Sequence, residues 1–264
     1  MYFKNKVVWI TGASSGIGEA LTYEFARQGA IIIISSNQQT ELEKVKIKCE
    51  SLESKCYIQF LDVTEIDKMQ SITDKLIKKF GQIDVLVNNA GISQRSLVVE
   101  TPLSVDRKIM EIDYFGTVAL TKTVLPYMIK NGGGYIAATS SISGKFGFPL
   151  RSAYSAAKNA LHGFFETLRA EVYKDNIKVL IAFPGRIKTD ISLHALTKDG
   201  IAHDKMDEGQ NTGISAEKCA KQYVNAIRKD KKEVLIGATE LLMVYIHKFT
   251  PKLFYKLART INPT

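Results

Sequence analysis

The chain has 264 residues, of which 45% are hydrophobic and 24% charged, with only six prolines. That balance excludes a disordered or fibrous chain and leaves room for one globular α/β domain with a full core. The formal net charge is +9, but the lysines are spread over many helical patterns without interleaved aromatics. Solvated helix faces and an anionic small ligand therefore explain the charge better than a nucleic acid does.

No apolar run reaches about 18 residues, so no spanning helix is expected. The first six residues run straight into a strand pattern and hold no signal-peptide core. Cys49, Cys56 and Cys219 are odd in number and scattered. A reducing, cytoplasmic setting fits them. His162, His194, His203 and His247 form no ligand pair on one helical turn, and no metal site is expected.

Residues 7–11 (VVWIT) read as a buried strand, β-branched and without polar alternation. It stops at a loop carrying Gly12, Gly16 and Gly18. A helix follows with Ile17, Ala20, Leu21 and Phe25 on one face, and Gly29 suits its C-cap. Residues 31–34 form the second strand. Strand, glycine loop, helix and strand make a βαβ unit, the context in which such glycines point to a dinucleotide. Missing β-carbons let the backbone approach a pyrophosphate, and helix N-terminal amides bind it.

The alternation continues. Residues 36–52 read as a helix and 56–61 as a third strand, ending at Asp62 and Val63. Residues 66–80 form an amphipathic helix closed by Gly81. Residues 85–87 are a fourth strand, ending at Asn88-Asn89-Ala90-Gly91. Residues 102–130 read as one long helix. A fifth strand (135–139) leads to Ser141, then a helix opens with Tyr154-Ser155-Ala156-Ala157-Lys158. The sixth and seventh strands cover 179–183 and 233–236. Such alternation predicts a doubly wound, seven-stranded parallel sheet with helices on both faces. Ligands then sit at the carboxyl ends of the strands, where Gly12, Asp62, Asn89, Ser141 and Pro184 all fall. No repeat or linker divides the chain, so residues 1–264 read as a single domain.

Tyr154 and Lys158, four apart on a helix, share a face. An ammonium near a phenol favours the phenolate, and a serine hydroxyl such as that of Ser141 can hold a substrate oxygen while the phenol exchanges its proton. No side chain here accepts a hydride, so a cofactor must supply that chemistry.

TGASSGIG, NNAG, the Ser141/Tyr154/Lys158 set and Pro184-Gly185-Arg186-Ile187-Lys188-Thr189 together resemble the short-chain dehydrogenase/reductase family over residues 5 to about 190. The resemblance implies a Rossmann-type fold and a nicotinamide cofactor. It implies Tyr154 as catalytic acid/base, Lys158 as its activator and ribose ligand, and Ser141 as the group orienting the substrate carbonyl. Gly12, Ser14, Ser15, Gly16, Ile17 and Gly18 would hold the cofactor's phosphates. Asp62 and Val63 would face the adenine, and Asn89, Ala90 and Gly91 would lie along the cofactor. Pro184, Gly185, Ile187 and Thr189 would surround the nicotinamide. One position departs from the pattern: Asp113 stands where an asparagine usually anchors a proton relay behind the lysine. Its charge would damp the effect of Lys158 on Tyr154, so an Asp113→Asn variant is expected to turn over as fast or faster.

Ser36 and Asn37 occupy the positions that choose between cofactors. No acid there repels a 2′-phosphate, and both side chains can donate to one. NADP(H) is preferred on this reading, with NAD(H) as the alternative. The family resemblance makes residues 190–215 a substrate lid and implies a homodimer or homotetramer. In the tail, Phe249, Leu253, Phe254, Leu257 and Ile261 fall on one stripe flanked by Lys248, Lys252, Lys256 and Arg259. Packing over the pocket or assembly is the first expectation for residues 241–264, and peripheral membrane contact is the second. The function expected is reduction or oxidation of a small, lipophilic carbonyl or alcohol. The alternative is a cofactor-binding regulator with weak or no catalysis.

Overall fold

The structure, a computed structural model, describes residues 1–260. Its strands are β1 (Val7–Thr11), β2 (Ile31–Ser35), β3 (Cys56–Ile58), β4 (Val85–Asn88), β5 (Gly134–Thr139), β6 (Ile177–Pro184), β7 (Ile187–Lys188), β8 (Ile214–Ser215) and β9 (Glu233–Ile236). Seven of them form one sheet in the order β3-β2-β1-β4-β5-β6-β9, all parallel; β7 and β8 pair separately. The helices are α1 (Gly16–Arg27), α2 (Gln39–Glu50), α3 (Ile66–Phe80), α4 (Leu103–Met110), α5 (Gly116–Lys130), α6 (Ser152–Glu171), α7 (Glu208–Asn211), α8 (Ala216–Arg228), α9 (Leu242–Phe249) and α10 (Pro251–Ala258).

The pleat explains the two cores. In β1, Val8 and Ile10 face a cluster with Leu21 and Phe25 of α1, Leu42 of α2 and Tyr223 of α8. Val7 and Trp9 face the opposite cluster, with Met69 of α3, Leu120 of α5, and Leu161 and Phe165 of α6. Both faces are covered, so the strand needs no polar alternation. Each fully buried side chain of this size contributes about 1.5–3 kcal/mol. Trp9 satisfies its one polar atom by donating to Ser35 Oγ at 2.9 Å.

Three expected boundaries move. The second helix starts at Gln39, because Ser36 donates to Ser14 Oγ at 3.0 Å and accepts from the Gln38 N–H at 3.1 Å. The third strand ends at Ile58. The helix expected over 102–130 is interrupted by a π-helical turn at Glu111–Phe115. Gly116, at the end of that turn, is pressed against the loop after β3, where an added β-carbon would lie 2.6 Å from the Val63 carbonyl oxygen. The tail is two short helices, the second opening at Pro251 with Thr250 at its N-cap, as a Thr-Pro pair signals, and the Ile261 end of its expected stripe lies outside the described residues.

Candidate active site

β1 has β2 on one side and β4 on the other, so the chain winds in opposite directions from the β1/β4 crevice. Ligands of such sheets bind outside that reversal. A cleft of about 650 Å³ opens there, lined by Gly12, Ser15, Asn89, Ser141, Tyr154 and Lys158 among others.

The glycine loop is built for close approach. Gly12 and Gly16 sit at φ +61° and +57°, a region that side chains disfavour. A β-carbon on Gly12 would lie 2.7 Å from Ala90 Cα, and one on Gly18 would lie 2.1 Å from the Gly12 carbonyl oxygen. Asn89 ties the two strand ends together by donating from Nδ2 to the carbonyl oxygens of Thr11 and Gly12, at 3.2 Å each. Ser15 is exposed at the N-cap of α1 and makes no side-chain cap bond. A helix start whose amides no side chain caps fits a pyrophosphate. At the next strand end, Asp62 accepts from the Asn37 side-chain amide at 3.0 Å and from the Thr64 N–H at 2.9 Å. Hydrogen bonds hold its carboxyl below the ordinary range against the opposing effect of partial burial.

β5 ends at Thr139, and Ser141 caps a 3₁₀ turn by accepting from the Ser143 N–H at 3.2 Å. Its own hydroxyl faces the Pro184 carbonyl at 3.4 Å. α6 returns Tyr154 and Lys158 to the same cleft, both buried. Lys158 Nζ lies 5.7 Å from the centre of the Tyr154 ring and donates to the Thr139 carbonyl at 3.2 Å. The three residues read as a set in the sequence thus line one cleft.

Asp113 comes to them from the π turn. It is fully buried, with Oδ2 3.1 Å from Lys158 Nζ and Oδ1 accepting from the Ile92 N–H at 2.8 Å. Gly91 lies against this pair: a β-carbon there would be 3.0 Å from Nζ and 3.2 Å from Oδ2. Burial works against the Lys158 ammonium, but the charges of Asp113 and Tyr154 outweigh it and raise its pKa above the usual lysine value. Burial also pushes the Asp113 carboxyl above the ordinary range, opposed by the Lys158 charge and the Ile92 N–H. π turns recur at functional sites, and this one turns Asp113 inward to the lysine.

Sequence comparison bears directly on this geometry. A family model for short chain dehydrogenases matches residues 6–199. The chain belongs to the short-chain dehydrogenase/reductase family. Its members are oxidoreductases acting on CH–OH groups with NAD(P). The dehydrogenase/reductase SDR family protein 7-like of Drosophila melanogaster is 39% identical over 255 residues, covering 95% of this chain and 78% of its own length. The dehydrogenase/reductase SDR family member 7B of Mus musculus is 38% identical over 261 residues, covering 97% and 81%. In fold, the chain is similar to a short-chain dehydrogenase/reductase from Burkholderia phymatum in complex with NAD, with a TM-score of 0.85 at 20% identity over 100% of this chain and 98% of that one. An alcohol dehydrogenase from Thermococcus sibiricus, complexed with 5-hydroxy-NADP, gives 0.76 at 23% over 89% and 97%.

This short-chain dehydrogenase/reductase holds α6 with residues that the motifs did not reveal. Arg151, at the N-cap of α6, supplies no side-chain cap. Gln94 does so from the loop after β4: its Oε1 accepts from the Ala153 N–H at 2.8 Å, next to Tyr154, and its Nε2 donates to Ser96 Oγ at 3.1 Å. Asp207, in the expected lid, is buried against Arg95 and Arg151. It accepts from Arg95 Nε at 3.0 Å and from Arg151 Nη2 at 3.0 Å, with a further short contact to Arg95 Nη2. Burial and the neighbouring Arg95 charge bring Arg151 down to about 10. These partners are 56 to 112 positions apart, and no spacing in the sequence marks them. Outside the cleft, His162, Glu166 and Glu233 converge within 4.8 Å. There Lys145 supplies a positive charge, 2.9 Å from Glu233 and 3.1 Å from His162.

Proposed function

We propose that this family member is an NADP(H)-dependent reductase of lipophilic ketones or aldehydes, running the reverse alcohol oxidation on the same residues. One observation carries the reading: Ser141, Tyr154 and Lys158 line a single cleft that also contains the glycine loop. The glycine cradle, with its uncapped Ser15, fits a dinucleotide. Gly12, Ser15, Gly16 and the first amides of α1 would hold the pyrophosphate, Asp62 and Val63 would border the adenine, and Lys158, Ile187 and Thr189 the nicotinamide end. When bound, the nicotinamide supplies or accepts the hydride.

The chain's own residues handle the oxygen and its proton. In reduction, the carbonyl oxygen is held by the Ser141 and Tyr154 hydroxyls. As it gains the electron pair, Tyr154 gives it a proton and is left with a negative oxygen. The Lys158 ammonium stabilises that charge, and Asp113 keeps Lys158 in place. Phe146, Phe148, Ile191 and Met243 also line the cleft and suit an apolar substrate body.

The cofactor preference rests on Ser36 and Asn37. Neither is acidic, and their hydroxyl and amide can donate to a 2′-phosphate. Ser36 already donates to Ser14 and Asn37 to Asp62, and each must give up that bond to reach a phosphate, so a modest preference is expected. The test is kcat/KM with NADPH and NADH over a panel of carbonyl compounds, followed as loss of cofactor absorbance. A tenfold preference for NADH would overturn the NADP(H) reading. A Tyr154→Phe variant should lose about 10²–10⁴ in kcat while binding cofactor normally; full turnover in it would favour a cofactor-binding regulator.

A further inference from the structure

The two C-terminal helices have unlike faces. Inward, Phe254 is 3% exposed and packs on Phe146 and His247, with ring centres 4.9 and 4.7 Å apart. Met243 of α9 lines the cleft, as does Phe146. Outward, Leu242, Tyr245 and Phe249 of α9 are 61%, 52% and 70% exposed. Their spacing of three and four residues makes one stripe on the helix. Leu253 and Tyr255 of α10 are exposed as well. Lys248, Lys252, Lys256 and Arg259 lie among them, also exposed, and residues 241–260 contain no Asp or Glu.

Single exposed apolar side chains are ordinary, whereas an apolar stripe set in charge of one sign is the pattern of a surface-lying helix. We propose that the outer face of α9 and α10 docks on an anionic lipid surface. Leu242, Tyr245 and Phe249 enter the headgroup boundary, and the basic residues meet the negative surface potential. A second copy of the chain fits less well. A two-fold contact sets a surface against itself, so basic residues would oppose basic residues with no carboxylate in the segment to neutralise them. Because Met243 belongs to both α9 and the cleft wall, docking turns the cleft's rim toward the bilayer, where a lipophilic substrate resides. The surface itself stands independently of the redox reading.

The test is co-sedimentation of the full chain with vesicles of phosphatidylcholine alone or mixed with phosphatidylserine. Partitioning to the anionic vesicles should be at least about tenfold stronger and should weaken with added salt. Tyr245→Glu with Phe249→Glu, and separately Lys248→Glu with Lys252→Glu, should each cut it about tenfold. Neither pair should change the melting temperature or turnover of a water-soluble carbonyl. The proposal is overturned if the wild-type chain ignores anionic vesicles, or if both paired variants partition like the wild type. It also fails if sedimentation velocity shows the Glu pair splitting a dimer while no vesicle binding is seen.

Discussion

Replacing Asp113 by asparagine removes a charge and keeps a shape, and the structure gives both sides of the outcome. Lys158 Nζ lies 5.7 Å from the Tyr154 ring centre, and at an effective dielectric near 20 a unit charge there favours negative charge centred on the phenolate ring by about 2.9 kcal/mol. The Asp113 carboxylate is 3.1 Å from Nζ, hence at most 8.8 Å (5.7 + 3.1) from the same point. From there it opposes by about 1.9 kcal/mol or more. An ionised Asp113 thus cancels roughly two thirds or more of what Lys158 offers at the ring centre.

The variant lifts that opposition but strips a buried ammonium of its counterion. Deleting one partner of a buried pair costs about 3–5 kcal/mol. Asparagine keeps one acceptor oxygen, enough for the Ile92 N–H, but its amide NH2 then faces the ammonium as a second donor, so the cost stays at about 3 kcal/mol or more. The charge of Asp113 is the largest influence that raises the Lys158 pKa against burial. A cation held above its unfolded value contributes stability that is fully present below that value, about 10.4 for lysine. The contribution is lost as pH rises through the raised folded value. The lysine's share of the deficit is therefore full at neutral pH and fades only in strongly alkaline solution, while loss of the Asp113 carboxyl, which burial holds above the ordinary range, offsets part of it. A thermal melt at pH 7 should fall by several degrees, at about 2–4 °C per kcal/mol for a domain of this size. Alcohol-oxidation kcat should be unchanged or up to about tenfold higher, since part of the 1.9 kcal/mol is lost to a less firmly held lysine. A kcat more than tenfold lower, with melting temperature and cofactor affinity retained, would refute the damping argument and show that the carboxylate charge is needed for turnover.

Gly91→Ala should separate the same pair sterically, because its β-carbon would lie 3.0 Å from Nζ and 3.2 Å from Oδ2; kcat should drop at least about tenfold, read beside a melt showing the fold intact. Asp207→Asn should leave the buried Arg95 and the half-buried Arg151 guanidiniums facing a neutral amide and loosen residues 190–215, at a cost of up to about 3–5 kcal/mol. Limited proteolysis should then cut that segment faster, and an unchanged digestion pattern would rule out an Asp207 tether. Gln94→Leu should leave the Ala153 N–H without its acceptor, costing about 1–3 kcal/mol and lowering kcat more than cofactor affinity, as measured by turnover and nucleotide titration.

What could be read from the chain, and what could not, divides by distance along it. Residues 7–11 announce a buried strand because β-branched side chains on both faces leave no polar alternation, and the glycines that follow fix where the backbone must come close to a ligand. Ser141, Tyr154 and Lys158 were legible for the same reason: a strand end and one helical turn place them locally. The placing of Asp113 beside Lys158 is different in kind: the family resemblance implies it, and periodicity alone does not. It depends on a π turn inside residues 102–130, and a mostly periodic apolar pattern does not show one extra residue in a turn. The Gln94 cap and the Arg95–Asp207–Arg151 cluster depend on which loops the sheet order brings together, so polar residues that look like ordinary loop chemistry become buried partners. The tail shows the converse error. Thr250-Pro251 marks the start of the last helix, but the stripe from Phe249 to Ile261 runs across it; α9 and α10 have separate axes, which buries Phe254 and leaves Phe249 and Leu253 outside. A helical period locates a face only while the helix axis continues, and this axis breaks before a proline. The same break carries the basic residues outward with the apolar ones, and that coincidence makes the outer surface chemically specific.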